Sequence, residues 1–177
     1  MPVALTGIYR ENVAALLVRR DGQVLVGECA DKPGCWSFPQ GGVDAGETRR
    51  EALARELAEE TGLSPRDYRI LRSRGGYAYD YPGGHLKKGI YRGQRQTYFL
   101  CLMLRDGPVA RRNRRGKSHE FLRLAWARPA TFDLGMVPVF KRATVRSVLA
   151  DFFAVDRPLP DAAGAVDAAD VDSDAML

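Results

Sequence analysis

An α/β chain of the α+β type, with a mixed β-sheet sandwiched between helices (α/β/α), follows from three observations. Two short apolar runs near the start are split by Arg20-Asp21-Gly22, one long helical pattern begins at Thr48, and a second amphipathic pattern begins near Val139. Strands and helices do not alternate as βαβ repeats, and the chain is not built of strands alone. Helices packed on the faces of a mixed sheet are the expected arrangement.

Residues 12–19 and 23–28 read as two antiparallel strands, because Asp-Gly between apolar runs is a strong hairpin signal. Pro33-Gly34 and Gly41-Gly42 then bracket a short apolar piece at 36–39. Thr48-Arg49-Arg50-Glu51 is a capping box, in which a hydroxyl and a carboxylate take up amides that the first helical turn leaves without partners. That helix runs to Thr61 and stops at Gly62, since glycine enters the left-handed region without steric cost. Strands follow at 68–73 and 96–104, and residues 77–93, rich in Gly, Tyr and Lys, read as a long loop. A strand at 121–127 leads to a closing helix from about Val139, whose Val145, Val148, Leu149 and Phe152 recur at the i, i+3, i+4, i+7 spacing of a buried face.

With 177 residues, 45% of them hydrophobic, the chain suits one domain with one good core. We place that domain at 1–155 and read 156–177 as a disordered acidic tail, with six Asp against a single Arg. The whole chain carries +5 and the tail −5, so the domain carries +10. So basic a surface favours polyanionic partners, although an anionic membrane would be attracted in the same way. The three cysteines show neither metal-ligand spacing nor an even set, which points to a reducing cytoplasm. The longest apolar run, 98–104, is too short to span a bilayer, so no membrane association is expected, and no obligate protein partner is indicated.

The chemistry is concentrated on the long helix. Glu56, Glu59 and Glu60 stand at i, i+3 and i+4, which stacks three carboxylates on one face. Their mutual repulsion calls for a cation, and hard cations with oxygen ligands are the obvious candidates. Around them the chain reads Gly41-Gly42-Val43-Asp44-Ala45-Gly46-Glu47, seven residues, then Arg55-Glu56-Leu57-Ala58-Glu59-Glu60-Thr61-Gly62-Leu63. This run resembles at every position the signature box of the Nudix hydrolases. Chance agreement at its seven fixed residue types is on the order of one in 10⁸ per starting position, which counts against a merely solvated acidic stripe.

The resemblance implies the Nudix fold and hydrolysis of a phosphoanhydride bond by metal-activated water. It implies that Gly41, through its carbonyl, and Glu56, Glu59 and Glu60 hold Mg2+, with Mn2+ as a substitute. Glu47 and Arg55 are expected to form a supporting ion pair rather than to act on substrate. Family members take the general base either from the box, where Glu59 is the candidate, or from a distant loop, where Glu120 precedes the strand at 121–127.

Outside the box the chain is similar to the subfamily of RNA 5′-pyrophosphohydrolases and diadenosine polyphosphate hydrolases. The likeness lies in Tyr9-Arg10, Trp36 with Phe38-Pro39-Gln40, Tyr79-Asp80-Tyr81-Pro82, Gly93-Gln94-Arg95-Gln96 and Phe140-Lys141-Arg142. It implies that Tyr79 or Phe140 stacks on a purine and that Arg10, Lys141 and Arg142 bind phosphates. The expected substrate is the 5′-triphosphate end of RNA, with a dinucleoside polyphosphate as the alternative and a non-catalytic nucleotide- or RNA-binding module as the more distant one. The chain departs from its RNA-acting relatives at Gly27-Glu28-Cys29-Ala30, where they carry arginine, and near Cys35, where they carry serine. A basic segment at 105–117 is expected to guide polyphosphate or RNA into the site.

Overall fold

The computed structural model describes residues 7–105, 109 and 120–154. The acidic tail and, Val109 apart, the basic segment beyond Arg105 lie outside the described residues, as does the expected boundary at 155.

In chain order the described elements are β1 (Ile8–Val18), β2 (Val24–Cys29), β3 (Trp36–Ser37), β4 (Gln40–Gly42), α1 (Arg49–Thr61), β5 (Tyr68–Asp80), β6 (Tyr91–Met103), β7 (Phe121–Ala127) and α2 (Arg142–Phe153). The strands form one seven-stranded sheet in the order β3-β2-β1-β6-β5, with β4 paired to β1 and β7 to β2. β1 and β6 run parallel while the other pairs are antiparallel, so the sheet is mixed. β1 is apolar throughout its buried stretch because both of its faces are covered. Val13, Ala15 and Leu17 point to Ala52, Leu53 and Leu57 of α1. Ala14, Leu16 and Val18 point to Val145, Val148 and Phe152 of α2. The sheet is thus sandwiched between two helices, and fully buried leucines such as Leu16 and Leu57 each contribute roughly 2 kcal/mol relative to exposure.

Helix α1 is fixed at both ends by local chemistry. Thr48 Oγ1 accepts from the Glu51 amide at 3.2 Å and the Thr48 amide donates to Glu51 at 2.8 Å, which closes the capping box. Gly62 ends the helix at φ 72° and donates its N–H to the Ala58 carbonyl. The buried stripe of α1 runs Leu53, Leu57, Glu60, so at i+7 the core position is held by a carboxylate.

Two sequence expectations are corrected. Residues 77–93 are not a long loop: β5 extends to Asp80, β6 starts at Tyr91, and Tyr77↔Gln96, Tyr79↔Gln94 and Asp80↔Gly93 pair across them. Gly75-Gly76 marks a bulge between Arg74 and Tyr77, with Gly76 at φ 85°, and the strand continues past it. The connection shrinks to 81–90. The closing helix begins at Arg142 rather than near Val139, because Val139–Lys141 form a tight 3-10 turn after Pro138.

Candidate active site

The acidic site lies where α1 passes behind β4. Gln40, the first residue of β4, donates its amide to Glu60 Oε2 at 3.2 Å. The other oxygen, Oε1, is buried and meets no donor among the described residues. What faces the Glu60 carboxyl is a second carboxyl, that of Glu120, at the entry to β7. Burial pushes Glu60 well above the usual carboxylate range, and Glu120 and Glu56 push it further. Glu56 is raised as well, chiefly by burial, although Arg55 opposes the shift. Two carboxylates brought together without a donor can be held only by a proton or a cation between them.

Arg55 organises the rest. Its Nε and Nη2 donate to the two oxygens of Glu47, each at 2.8 Å, and Nη2 also reaches the Gly42 carbonyl at 2.8 Å. Nη1 lies 2.5 Å from Glu56 and 3.9 Å from Glu59. Glu47 in turn accepts from the Asp44 amide, and the Arg55 hydrogen bonds hold its carboxyl down at about 2. The same contacts, Glu47 first, raise the Arg55 guanidinium above its ordinary value. One guanidinium therefore ties the 41–47 loop to α1 and aligns two of the three box carboxylates.

The residues present fit a divalent cation. Gly41 lies against the Glu56 carboxylate so closely that a Cβ there would stand 1.9 Å from it, so only glycine lets this carboxylate come up to the backbone, where both could offer oxygen to an ion. Among the described residues no three His, Cys, Asp or Glu side chains already surround a common point. Glu56 is turned to Arg55 and Glu60 to Gln40 N, so a bound ion would have to draw them together.

On the opposite face of the sheet a narrow cleft opens beside the same β4. Aromatic walls from Trp36, Phe38, Tyr98 and Phe132 enclose it, with Lys141 and Gln96 at its polar end. Gln96 Nε2 donates to Asn12 at 2.9 Å and to Gln40 at 2.5 Å, while Tyr98 OH donates to Gln96 Oε1 at 3.0 Å. Burial lowers the Lys141 ammonium from its ordinary value, and Glu120 is among the acidic groups that partly offset this. Gln40 thus connects the two halves, with its amide on Glu60 and its side chain in the cleft.

The remaining sequence candidates fall in different surroundings. The Arg10 guanidinium rests on Gly42, where a Cβ would meet Nη2 at 2.1 Å. Tyr79 is enclosed: its hydroxyl donates to Gln94, its ring packs 5.5 Å from Phe140, and Lys141 Nζ lies 5.0 Å from the ring centroid. Neither face of it stands open for stacking, whereas Phe140 is half-buried. Arg142 donates to the carbonyls of Val137 and Gly135, each at 2.9 Å, and so clamps the loop before α2. The polar trio Asn12, Gln40 and Gln96 and the wall residue Phe132 went unnoticed as site residues. Gln96 left a signal, since it precedes Tyr98, Leu100 and Leu102 on the same inward face of β6.

The NUDIX domain family matches residues 8–148. An RNA pyrophosphohydrolase of Sphingopyxis alaskensis is 39% identical over 150 residues, covering 81% of this chain and 92% of that protein. An RNA pyrophosphohydrolase of Sodalis glossinidius is 39% identical over 160 residues, covering 88% and 89%. Among solved structures, the E. coli dihydroneopterin triphosphate pyrophosphohydrolase superposes with a TM-score of 0.60 at 16% identity, over 81% of this chain and 99% of that one. A C. elegans Ap4A hydrolase binary complex gives 0.56 at 18%, over 79% and 96%, and likeness at such identity speaks to the fold alone.

Proposed function

The chain belongs to the Nudix hydrolases, which use divalent metals, and it acts on phosphoric anhydrides; from that premise we propose that it removes pyrophosphate from the 5′-triphosphate end of RNA, with magnesium, in the cytoplasm. The choice of RNA is supported by relatives of that name at 39% identity over most of the chain. The chemistry is carried by one observation, the donorless Glu60 oxygen facing Glu120. Among the described residues no helix is long and apolar enough to cross a membrane.

In this reading Glu56, Glu59, Glu60 and the Gly41 carbonyl hold the metal. When bound, the ion supplies neutralisation of phosphate charge and acidification of the attacking water. Arg55 and Glu47 keep the loop and helix in register. Glu120, which borders both Glu60 and the cleft cation Lys141, takes the water proton onto its carboxylate. Glu59 is the rival for that role. Arg10 orients phosphate oxygens above Gly42, and the aromatic cleft seats a base, while Phe140, half-buried beside the cleft residue Lys141, is open to stacking as the enclosed Tyr79 is not.

The test offers purified protein and magnesium a 5′-triphosphate RNA and diadenosine tetraphosphate, beside Glu59→Gln and Glu120→Gln. Preferential release of pyrophosphate from the RNA is expected, with both variants impaired. Preference for diadenosine tetraphosphate would replace the substrate, and turnover of neither would leave a nucleotide-binding module.

A further inference from the structure

On the cleft face of the sheet, three neighbouring strands bring one residue each to the same line. β3 and β7 flank β2, and Glu28 of β2 is in register with Trp36 on one side and Arg123 on the other. Directly opposed residues share a face, so the three side chains stand abreast. Arg123 Nε donates to Glu28 Oε2 at 2.6 Å, and its guanidinium carbon lies 5.1 Å from the centre of the Trp36 ring. Glu28 is itself pinned from below, since its other oxygen accepts from the Gly34 amide at 2.8 Å. The guanidinium is thus held over an indole by a fixed carboxylate, while 69% of the Arg123 side chain remains exposed.

Position gives this stack a use. Trp36 is also a wall of the cleft, and Arg123 lies three residues along from Glu120, which faces Glu60. β2 brings only Gly27, Glu28 and Cys29 to this rim and no cation of its own. A strand whose terminal phosphates sit at the box carboxylates and whose first base sits in the cleft can leave past Trp36, over this rim. We infer that Arg123, stacked on Trp36, is a binding platform for the body of a single-stranded RNA. Its plane takes a base and its outward Nη groups, which have no partner among the described residues, take a phosphodiester. The pairing with Glu28 holds the guanidinium in place in advance, so little rotamer freedom is lost on binding. The inference rests on the RNA reading above and specifies where that substrate is held beyond its 5′ end.

A 5′-hydroxyl oligoribonucleotide of about ten nucleotides probes the platform without the catalytic step. Its affinity should fall about tenfold in Arg123→Gln, and the slope of log K against log salt should shrink by about 0.7, one cation's share for a single strand. Arg123→Lys should keep the slope and lose part of the affinity, a split that a purely structural role would not produce. The KM for diadenosine tetraphosphate, which has no strand body, should stay unchanged in both variants. Equal RNA affinity in wild type and Arg123→Gln overturns the platform, and so does an equal loss for both ligands. Failure of the RNA reading shows separately, as wild-type protein that binds the oligonucleotide through Arg123 yet releases nothing from its triphosphorylated form.

Discussion

The two faces of the sheet are built by different means. On the α1 face, all the working groups but Glu120 come from one helix and the loop before it, and Arg55 alone reaches Glu47, Glu56, Glu59 and the Gly42 carbonyl. On the α2 face, the cleft is assembled from β3, β4, β6, α2 and the loop between β7 and α2, with Gln96 joining Asn12 and Gln40 in its floor. Glu120 apart, the first face is a short-range construction whose spacing in sequence is its spacing in space. The second is long-range, and identical residue types there divide between recognition and support. In the proposed reading, the chemistry sits on the first face and substrate recognition on the second.

The sharpest break between them should come from Glu60. Glu60→Gln removes a buried carboxyl from opposite Glu120 and, in the proposed reading, a metal ligand. Turnover should fall on the order of 10³-fold, about 4 kcal/mol of transition-state stabilisation. The same variant without metal should be at least as stable as wild type, since a buried carboxyl with one oxygen lacking a donor costs stability. It should also lose the upward shift in Tm that magnesium gives wild type. A large loss of stability with activity intact would reverse the assignment of this face.

A smaller effect is expected at the loop anchor. Arg55 holds Glu47 at about 2, below its ordinary 4.5, so the ionised form favours the folded state. That stability is present above about pH 4.5 and is lost as pH falls towards 2. Glu47→Gln should cost about 2 kcal/mol at pH 7, less than the whole shift implies because solvent screens the pair, and the difference should narrow towards pH 3 in urea titrations. A gap independent of pH would mean that packing, not charge, holds the loop.

This contrast also explains what could be read in the sequence. The capping box, the Gly62 stop and the carboxylate spacing are local, and α1 lies where those signals placed it. The burial of Glu60 was legible only in part, through its place at i+7 from Leu53 in a stripe whose other members are leucines. The length of β5 and β6 was hidden because Gly75-Gly76 looks the same whether it opens a loop or forms a bulge, and only the pairing partner decides. The cleft was illegible as a cleft, since Phe132 and Gln96 are ordinary residues until the fold joins them. Tyr79 and Arg142 have the chemistry of ligand-binding groups, but tertiary contacts spend that chemistry on Gln94, Phe140 and two carbonyls.

On the recognition face, Lys141→Met keeps the apolar stem against Tyr79 and Phe140 while removing the ammonium. The KM should rise about tenfold, near 1.4 kcal/mol, with kcat within about threefold, because a cation that binds ground and transition states alike acts on KM. A fall in kcat with KM unchanged would move Lys141 into the chemistry and dissolve the distinction between the faces.

The smallest effect separates two adjacent cations. Arg142 follows Lys141 directly, yet its guanidinium is committed to the Val137 and Gly135 carbonyls, which fold the loop onto α2 and hold Val137 in the cleft wall. Arg142→Ala should cost about 1 kcal/mol of stability, the usual loss for charge-assisted hydrogen bonds that are partly open to water. Its KM should move less than threefold, and only through a loosened wall. Parallel thermal melts and substrate titrations decide the matter. A KM rise as large as that of Lys141→Met, without any change in Tm, would mean that Arg142 leaves its carbonyls to meet a phosphate when substrate arrives.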